Sequence, residues 1–555
     1  MKKYLILIVA LILGSILRLW QLSAVPNGLT WDEAAIGYNA YSILKTGRDE
    51  HGAFLPVVFK SFGDYKPGAY IYLTVPSVAI FGLNEFAVRF PSALAGILGI
   101  LGIYLLTKTI LSLGSKTTST ELPSQLSALA FAISPWSVHF SHGAWEVNVF
   151  STLTIFALYY LLRFIRNKSS LYPSLLFACL SLAMYQAAKL LTPLVFLLFV
   201  AIYWKDFWQE FSKYLNPGKL LRLAPFILFG AWIFFGSLFG SAGNRLSTLS
   251  IFNYKPNLAE KALPIDGVGS LAIPLFHNQT ELSTSLVLSR YMWHFSPEVL
   301  FYEGSIITER GHIPGLGILN PLEFILLTFG FIWLVRQLAP GTHDSPSKST
   351  LLILGLLLIA PVPASLTLAE FSTVRALFMA VPLAMISGIG MYYLLRLLRL
   401  MVLPLFLLYF LLVFYVFDSY FLHSQTAFST EYNYGYKQVV EIIKENPTKR
   451  VIFTDVFGQP YIYYLFYTAF DPKTYQASDG FVDGGLDVGK VNKLANVEFR
   501  QFSSPEIMTE KDTLFVGSEG NINNQFDITS PNIALFRQFQ TPDNHIIFRV
   551  IKTKP

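Results

Sequence analysis

Cysteine is almost missing from this chain. Its one thiol, Cys179, lies inside an apolar run, so neither an intrachain disulfide nor a thiolate metal cluster can form. Charge is scarce as well, at 14% of 555 residues. No Gly-x-Ser-x-Gly elbow, His-Glu-x-x-His helix or Walker-type phosphate loop occurs. These absences remove serine-hydrolase, zinc-protease and ATPase chemistry, so any reaction must draw its energy from an activated substrate. The net charge of +6 is small for the length, and the basic residues gather in short connections between apolar runs. Nucleic acid is therefore not an expected partner. There is no internal repeat and no low-complexity segment.

What is abundant is apolar: 53% hydrophobic and 15% aromatic residues describe a polytopic membrane protein. A spanning helix needs about 20 mostly apolar residues. About eleven such spans fit, near 4–22, 88–107, 124–141, 147–165, 171–187, 190–204, 222–240, 317–336, 350–368, 376–395 and 401–418. The first is read as a retained anchor, since no small-residue cleavage site follows it and Arg18-Leu19-Trp20 resembles an interfacial end. With the N-terminus cytoplasmic, the inner connections hold Lys108 and Lys116; Arg163, Arg166 and Lys168; Lys205, Lys213, Lys219 and Arg222; Arg336 and Lys348; Arg396 and Arg399. This is the bias that the positive-inside rule requires.

That parity puts residues 23–87, residues 241–316 and the tail outside the plasma membrane. The first loop contains an interrupted apolar stretch, Tyr70 to Phe81 with Pro76 inside, suited to a helix lying on the membrane surface. The second is long and aromatic, which points to a functional loop. In the tail, Lys437 to Glu445 has a helical pattern, and Arg450 to Thr454, Thr513 to Val516 and His545 to Ile551 read as strands. The expected fold class is mainly α: a transmembrane helix bundle over 1–418 with an extracytoplasmic α/β domain over 430–555. No glycine-rich loop supports a nucleotide site in that domain.

Polar residues at the outer ends of the spans are the candidates for chemistry. Thr30-Trp31-Asp32-Glu33 places two acids just past the first span, where a carboxylate can act as a general base. The same residues can equally cap the next helix. Lys66 and Arg89 are candidate phosphate ligands, with snorkelling and membrane anchoring as the structural alternatives. His139, His142 and Glu146 are spaced by three and four, as ligands of a divalent metal on one helix would be. Pro135 and Gly143 favour instead a turn in which Glu146 and Asn148 face a cavity and the histidines hydrogen-bond locally. Lys189, His294, Arg310 and Arg375 complete the set by position.

Read in order, Trp31-Asp32-Glu33, Lys66-Pro67-Gly68-Ala69-Tyr70-Ile71-Tyr72 and the run Phe81-Gly82-Leu83-Asn84-Glu85-Phe86-Ala87-Val88-Arg89-Phe90-Pro91-Ser92-Ala93-Leu94 resemble the N-terminal signature of the GT-C membrane glycosyltransferases. The branch is family 39-like, shared by protein O-mannosyltransferases and bacterial aminoarabinose transferases. The resemblance is strongest over residues 1–200, extends to His294-Phe295-Ser296-Pro297 and fades in the tail. The family usually has a second proline where this chain has Gly68.

The resemblance implies a GT-C bundle that moves a sugar from a polyprenyl-phosphate donor to a protein, lipid or glycan acceptor with inversion. Asp32 would be the base and Glu33 its support. Lys66 and Arg89 would contact the lipid phosphate. No cofactor is assigned, and assistance by a divalent metal is left open by the sequence. The alternatives are a lipid-linked glycan transporter, disfavoured by the lack of paired halves, and a non-catalytic envelope scaffold.

Overall fold

The structure is a computed structural model describing residues 2–114, 120–239, 250–253, 278–303, 309–313, 315–338, 347–369, 371–398, 402–478, 480–484, 488–524 and 526–555. Lys116, Arg399 and much of the 241–316 loop lie outside the described residues.

Every expected span has a helical counterpart. The first ten helices are α1 (Leu5–Leu19), α2 (Trp31–Thr46), α3 (Ala69–Phe81), α4 (Glu85–Gly114), α5 (Glu121–Ile133), α6 (Pro135–Ser141), α7 (Glu146–Phe164), α8 (Tyr172–Met184), α9 (Ala188–Phe211) and α10 (Pro217–Phe239). Later apolar helices are Glu323–Leu338, Lys348–Ile359, Ala380–Leu397 and Val402–Asp418. Among the described residues seven helices are long and apolar enough to cross a membrane, and α1, α3 and α8 are shorter apolar helices. The chain is a multi-pass membrane protein of mainly helical class.

The chain forms two compact units that cut across its order. One comprises Met1–Arg18, Leu94–Ser141 and Glu146–Phe417; the other comprises Leu19–Ala93, His142–Trp145 and Asp418–Pro555.

In the first unit α5 packs against Ala380–Leu397 at close range, because Gly388 presents no side chain: a Cβ there would stand 2.2 Å from the Ser127 nitrogen. Arg18, read from sequence as part of an interfacial end, is fully buried in this unit. Its guanidinium donates to the carbonyls of Gly14 (3.1 Å), Ala132 (2.8 Å) and Phe131 (3.2 Å), and to Ser137 Oγ (2.8 Å). Carbonyls at the end of α5 thus supply what water would have supplied at an interface.

The second unit joins residues 19–93 to the tail. Its main sheet has the order β6-β7-β3-β8-β10-β9. Here β3 is Arg450–Phe453, β6 Lys493–Leu494, β7 Val497–Phe499, β8 Thr513–Gly517, β9 Ile533–Gln540 and β10 Ile546–Thr553. Strand β3 runs parallel to β7 and β8, and β10 runs antiparallel to β8 and β9. The central strands carry Val451, Phe453, Leu514, Val516 and Val550 with no exposure, as expected of strands covered on both faces. Tail side chains grip the loop. Tyr463 donates to the Leu29 carbonyl (3.0 Å) and Tyr38 to the Phe470 carbonyl (3.1 Å). Gly37 lets the Phe466 ring lie where a Cβ would be 2.4 Å away.

Candidate active site

The site is built on the start of α2. Thr30 is extended (φ −69°, ψ 157°), and its Oγ1 accepts the Glu33 N–H (3.2 Å). Glu33 Oε2 in turn accepts the Thr30 N–H (3.0 Å), so the spacing Thr-x-x-Glu closes a reciprocal capping box. Of the two readings of the acid pair, the structure displays the capping one, in the second acid. Glu33 is the capping residue, and Asp32, one position earlier on the helix, has its side chain 46% exposed.

Glu33 is fully engaged. Besides Thr30, its Oε1 accepts from Arg89 Nε (2.9 Å) and from the Ala144 N–H (3.0 Å), and Oε2 from Arg89 Nη2 (3.4 Å). Four donors on a buried carboxylate hold it in one position. Arg89 departs from the expectation of a phosphate ligand. Its side chain is fully buried, and its N–H groups go to Glu33, to the Leu22 carbonyl (3.1 Å), to the Pro26 carbonyl (3.0 Å) and to the Gly28 carbonyl. All five guanidinium donors are occupied by the protein itself. The arginine therefore fixes the 22–33 segment on which Asp32 is mounted.

Lys66 comes from a hairpin that the sequence reading did not identify. Strands β1 (Val58–Ser61) and β2 (Asp64–Pro67) pair through Phe62-Gly63, both at positive φ (53° and 79°), as a two-residue type I′ loop requires. An Asn-Gly pair would have announced this turn; Phe-Gly does not. Phe62 is buried, and Lys66 Nζ lies 5.6 Å from its ring centre. The ammonium is hydrogen-bonded to Asp32 Oδ1. An exposed carboxylate beside a cation, on a helix start locked from below, is an arrangement that can take a proton and hold an anion within one neighbourhood.

A second feature missed by sequence lies two turns farther along α2. Asn39 follows Asp32 by seven residues, so both occupy one helix face about 10 Å apart. Asn39 Nδ2 donates to Glu50 Oε1 (2.9 Å), and the Glu50 N–H donates to Asn39 Oδ1 (3.0 Å). Burial pushes the Glu50 carboxyl up to about 8, against the opposing effect of the Asn39 hydrogen bond. Burial also lowers His51 to about 4, and its ring packs edge-on against Phe481 at 4.7 Å. The local signal was Asp49-Glu50-His51, one residue past the helix-ending Gly47.

His142 belongs to this unit, with Nδ1 3.0 Å from the Tyr420 hydroxyl and the two rings stacked at 5.2 Å. The other sequence candidates lie in the first unit. His139 Nε2 donates to the Arg310 carbonyl (2.7 Å). Both histidines thus make a hydrogen bond across more than 150 residues, where local bonding was expected to hold them. Helix α6 ends at Ser141, so His139, His142 and Glu146 share no helix face, and no cluster of three or more potential metal ligands occurs among the described residues. Glu146 opens α7 and is half-buried; Lys189 is buried near the start of α9 and donates to Gln186. Arg375 donates to Thr367 Oγ1 (3.2 Å), and Arg290, which sequence reasoning passed over, donates to the Thr367 carbonyl. His294 Nδ1 donates to the Arg290 carbonyl (2.7 Å), and its ring lies 4.8 Å from that of Phe371. Burial holds His294 down near 4, so its imidazole is neutral at physiological pH.

The apolar helices and the C-terminal sheet make an ArnT-like fold, in agreement with the fold that the sequence resemblance implies. ArnT from Cupriavidus metallidurans, solved bound to undecaprenyl phosphate, matches 99% of this chain and 97% of its own at 13% identity with a TM-score of 0.52. Residues 66–232, a stretch opening on Lys66, match the family model for dolichyl-phosphate-mannose-protein mannosyltransferase. The oligosaccharyltransferase AglB from Archaeoglobus fulgidus, solved with an inhibitory peptide and a dolichol-phosphate, aligns over 80% of this chain at 13% identity and a TM-score of 0.44. The chain spans 58% of that protein's length. Comparison with curated proteins finds no match.

Proposed function

We propose that this protein is a glycosyltransferase that moves a sugar from a polyprenyl-phosphate donor to an envelope or protein acceptor on the outer face of the plasma membrane, with inversion. The observation that carries this reading is the division of labour between the adjacent acids: Glu33 is saturated with donors, whereas Asp32 is half-exposed beside Lys66. Asp32 takes the proton of the acceptor hydroxyl as its oxygen bonds to the anomeric carbon. The bond from that carbon to the phosphate oxygen breaks on the opposite face, leaving polyprenyl phosphate. Lys66 stabilises the phosphate charge that develops. Arg89 and Glu33 hold the helix start in place and touch neither substrate. The lipid-phosphate ligand of the Cupriavidus protein of like fold supports a lipid-linked donor, and a lipid leaving group accounts for such a site in a multi-pass membrane protein.

The test is transfer from a panel of radiolabelled undecaprenyl-phosphate sugars by the purified protein, with envelope extract as acceptor, comparing wild type with Asp32→Asn. Loss of the base should lower the rate by about 10²–10⁴-fold with donor binding retained. Donor binding without transfer by the wild type, in an extract that supports a related enzyme, would favour a transporter. Full activity of Asp32→Asn would remove the residue from the mechanism.

A further inference from the structure

Apart from Asp32 and Lys66, the second unit contains a cavity of about 400 Å³, within the range of small-ligand sites. Its walls carry four side-chain amides, those of Asn27, Gln425, Asn433 and Gln438. Such a lining is unusual, since each amide offers both donors and an acceptor and none carries charge. Asn27 Nδ2 donates to the Gln425 carbonyl (3.0 Å) and to Ser429 Oγ (2.9 Å), which leaves its Oδ1 buried and unbonded among the described residues. Gln438 Oε1 is likewise unbonded. The turn supplying Asn433 is shaped for the purpose, with Asn433 at φ 52° and Gly435 at φ 100°. Asparagine is among the few side chains that adopt the left-handed region readily.

The remaining lining selects among ligands. Among the described lining residues the one cation, Lys437, is held by Glu85 at 2.9 Å, so these residues present no net charge to attract a phosphate. Its surface is too polar for a lipid chain. Tyr434 and Tyr467 add aromatic surface, and Tyr467 hydrogen-bonds Glu85. Amides with spare capacity, aromatic surface and no net charge fit a hydroxyl-rich neutral ligand, whose C–H faces pack on rings and whose hydroxyls pair with amides. The cavity is also wired to the base. Gly28 in its wall accepts from Arg89, Asn433 Nδ2 donates to the Leu29 carbonyl (3.4 Å), and Thr30 follows as the cap of α2. From Gly28 to Asp32 the chain spans at most about 14 Å.

The geometry points to a carbohydrate subsite in this cavity, holding the sugar ring of a glycan acceptor at a distance from the hydroxyl that reacts at Asp32. As an acceptor subsite it rests on the transferase reading; as a sugar site it does not. Saturation-transfer NMR on the full-length protein tests the site directly, with methyl glucoside, methyl mannoside and the corresponding tetrasaccharides as probes. A monoglucosyl diacylglycerol in vesicles is the second arm and separates a glycolipid headgroup from a free glycan. The wild type and Asp32→Asn should bind a probe alike. Gln425→Ala and Gln438→Ala, both at the rim of the core, should weaken binding about tenfold each, the loss expected for one or two hydrogen bonds. In the transfer assay the same variants should raise the acceptor KM about tenfold while the donor KM stays within twofold. Binding of the glycolipid alone supports the site and names its source. If no probe binds the wild type, or if both variants bind as the wild type does, the subsite is refuted whatever the transfer assay gives. If the wild type transfers sugar and the variants leave the acceptor KM unmoved, the subsite fails and the transferase stands.

Discussion

Replacing Arg89 by methionine separates the two roles open to it. In the structure the guanidinium holds Glu33 through two contacts and three backbone carbonyls through the rest, all without solvent exposure. Methionine keeps the volume and removes every donor, leaving a buried carboxylate unpaired. Breaking a buried pair from one side costs about 3–5 kcal/mol. For a cooperative unit of roughly 200 residues that lowers Tm by about 6–20 °C. Adding Glu33→Gln should recover part of the loss, because the neutral amide no longer suffers as an unpaired charge. The assay is thermal unfolding of the purified single and double variants in one detergent, followed by intrinsic fluorescence. An Arg89→Met protein that melts with the wild type while its donor KM rises tenfold or more would refute the reasoning and return Arg89 to the phosphate.

Two other variants probe neighbouring groups. Lys66→Met should cut kcat/KM by about 10²–10³-fold, as loss of a charge-stabilising donor does. Its Tm should barely move, because the Asp32–Lys66 pair is partly solvated and such pairs contribute about 0–1 kcal/mol; Lys66→Arg should restore part of the rate. Glu50 makes stability depend on pH. Its folded value, about 8, lies above the ordinary 4.5, so the folded state keeps a proton that the unfolded chain releases. The contribution is complete below about 4.5 and is lost as pH rises through 8. Glu50→Gln should therefore raise Tm at pH 8 more than at pH 5, and equal shifts at both would contradict a protonated Glu50.

Much of this architecture could be read from the chain because it depends on local period. Runs of apolar residues gave a helix for each expected span, Thr30, Asp32 and Glu33 gave a helix start, and the strands near Arg450, Thr513 and His545 fall where the alternation put them. Partner choice was not legible. Nothing near Arg89 says that its donors go to Glu33 and three carbonyls, and nothing near His139 points to Arg310, because these pairings depend on chain segments far apart in sequence. The β1–β2 hairpin was hidden for a different reason: its Phe62 adopts a positive φ that the tertiary contacts of a buried ring sustain.

The second unit is discontinuous: its early part ends at Ala93 and its late part begins at Asp418. During synthesis the loop bearing Asp32 is thus finished long before Tyr463 and Phe466 exist to hold it. At about 5–20 residues per second the interval is tens of seconds. Through that time the loop lacks every contact from the tail, and a chain interrupted before the tail leaves the start of α2 without them. Excision of residues 430–555 would accordingly remove the loop's scaffolding along with any docking function of the tail. The unit that carries Asp32 is therefore complete only once residues 418–555 have been made.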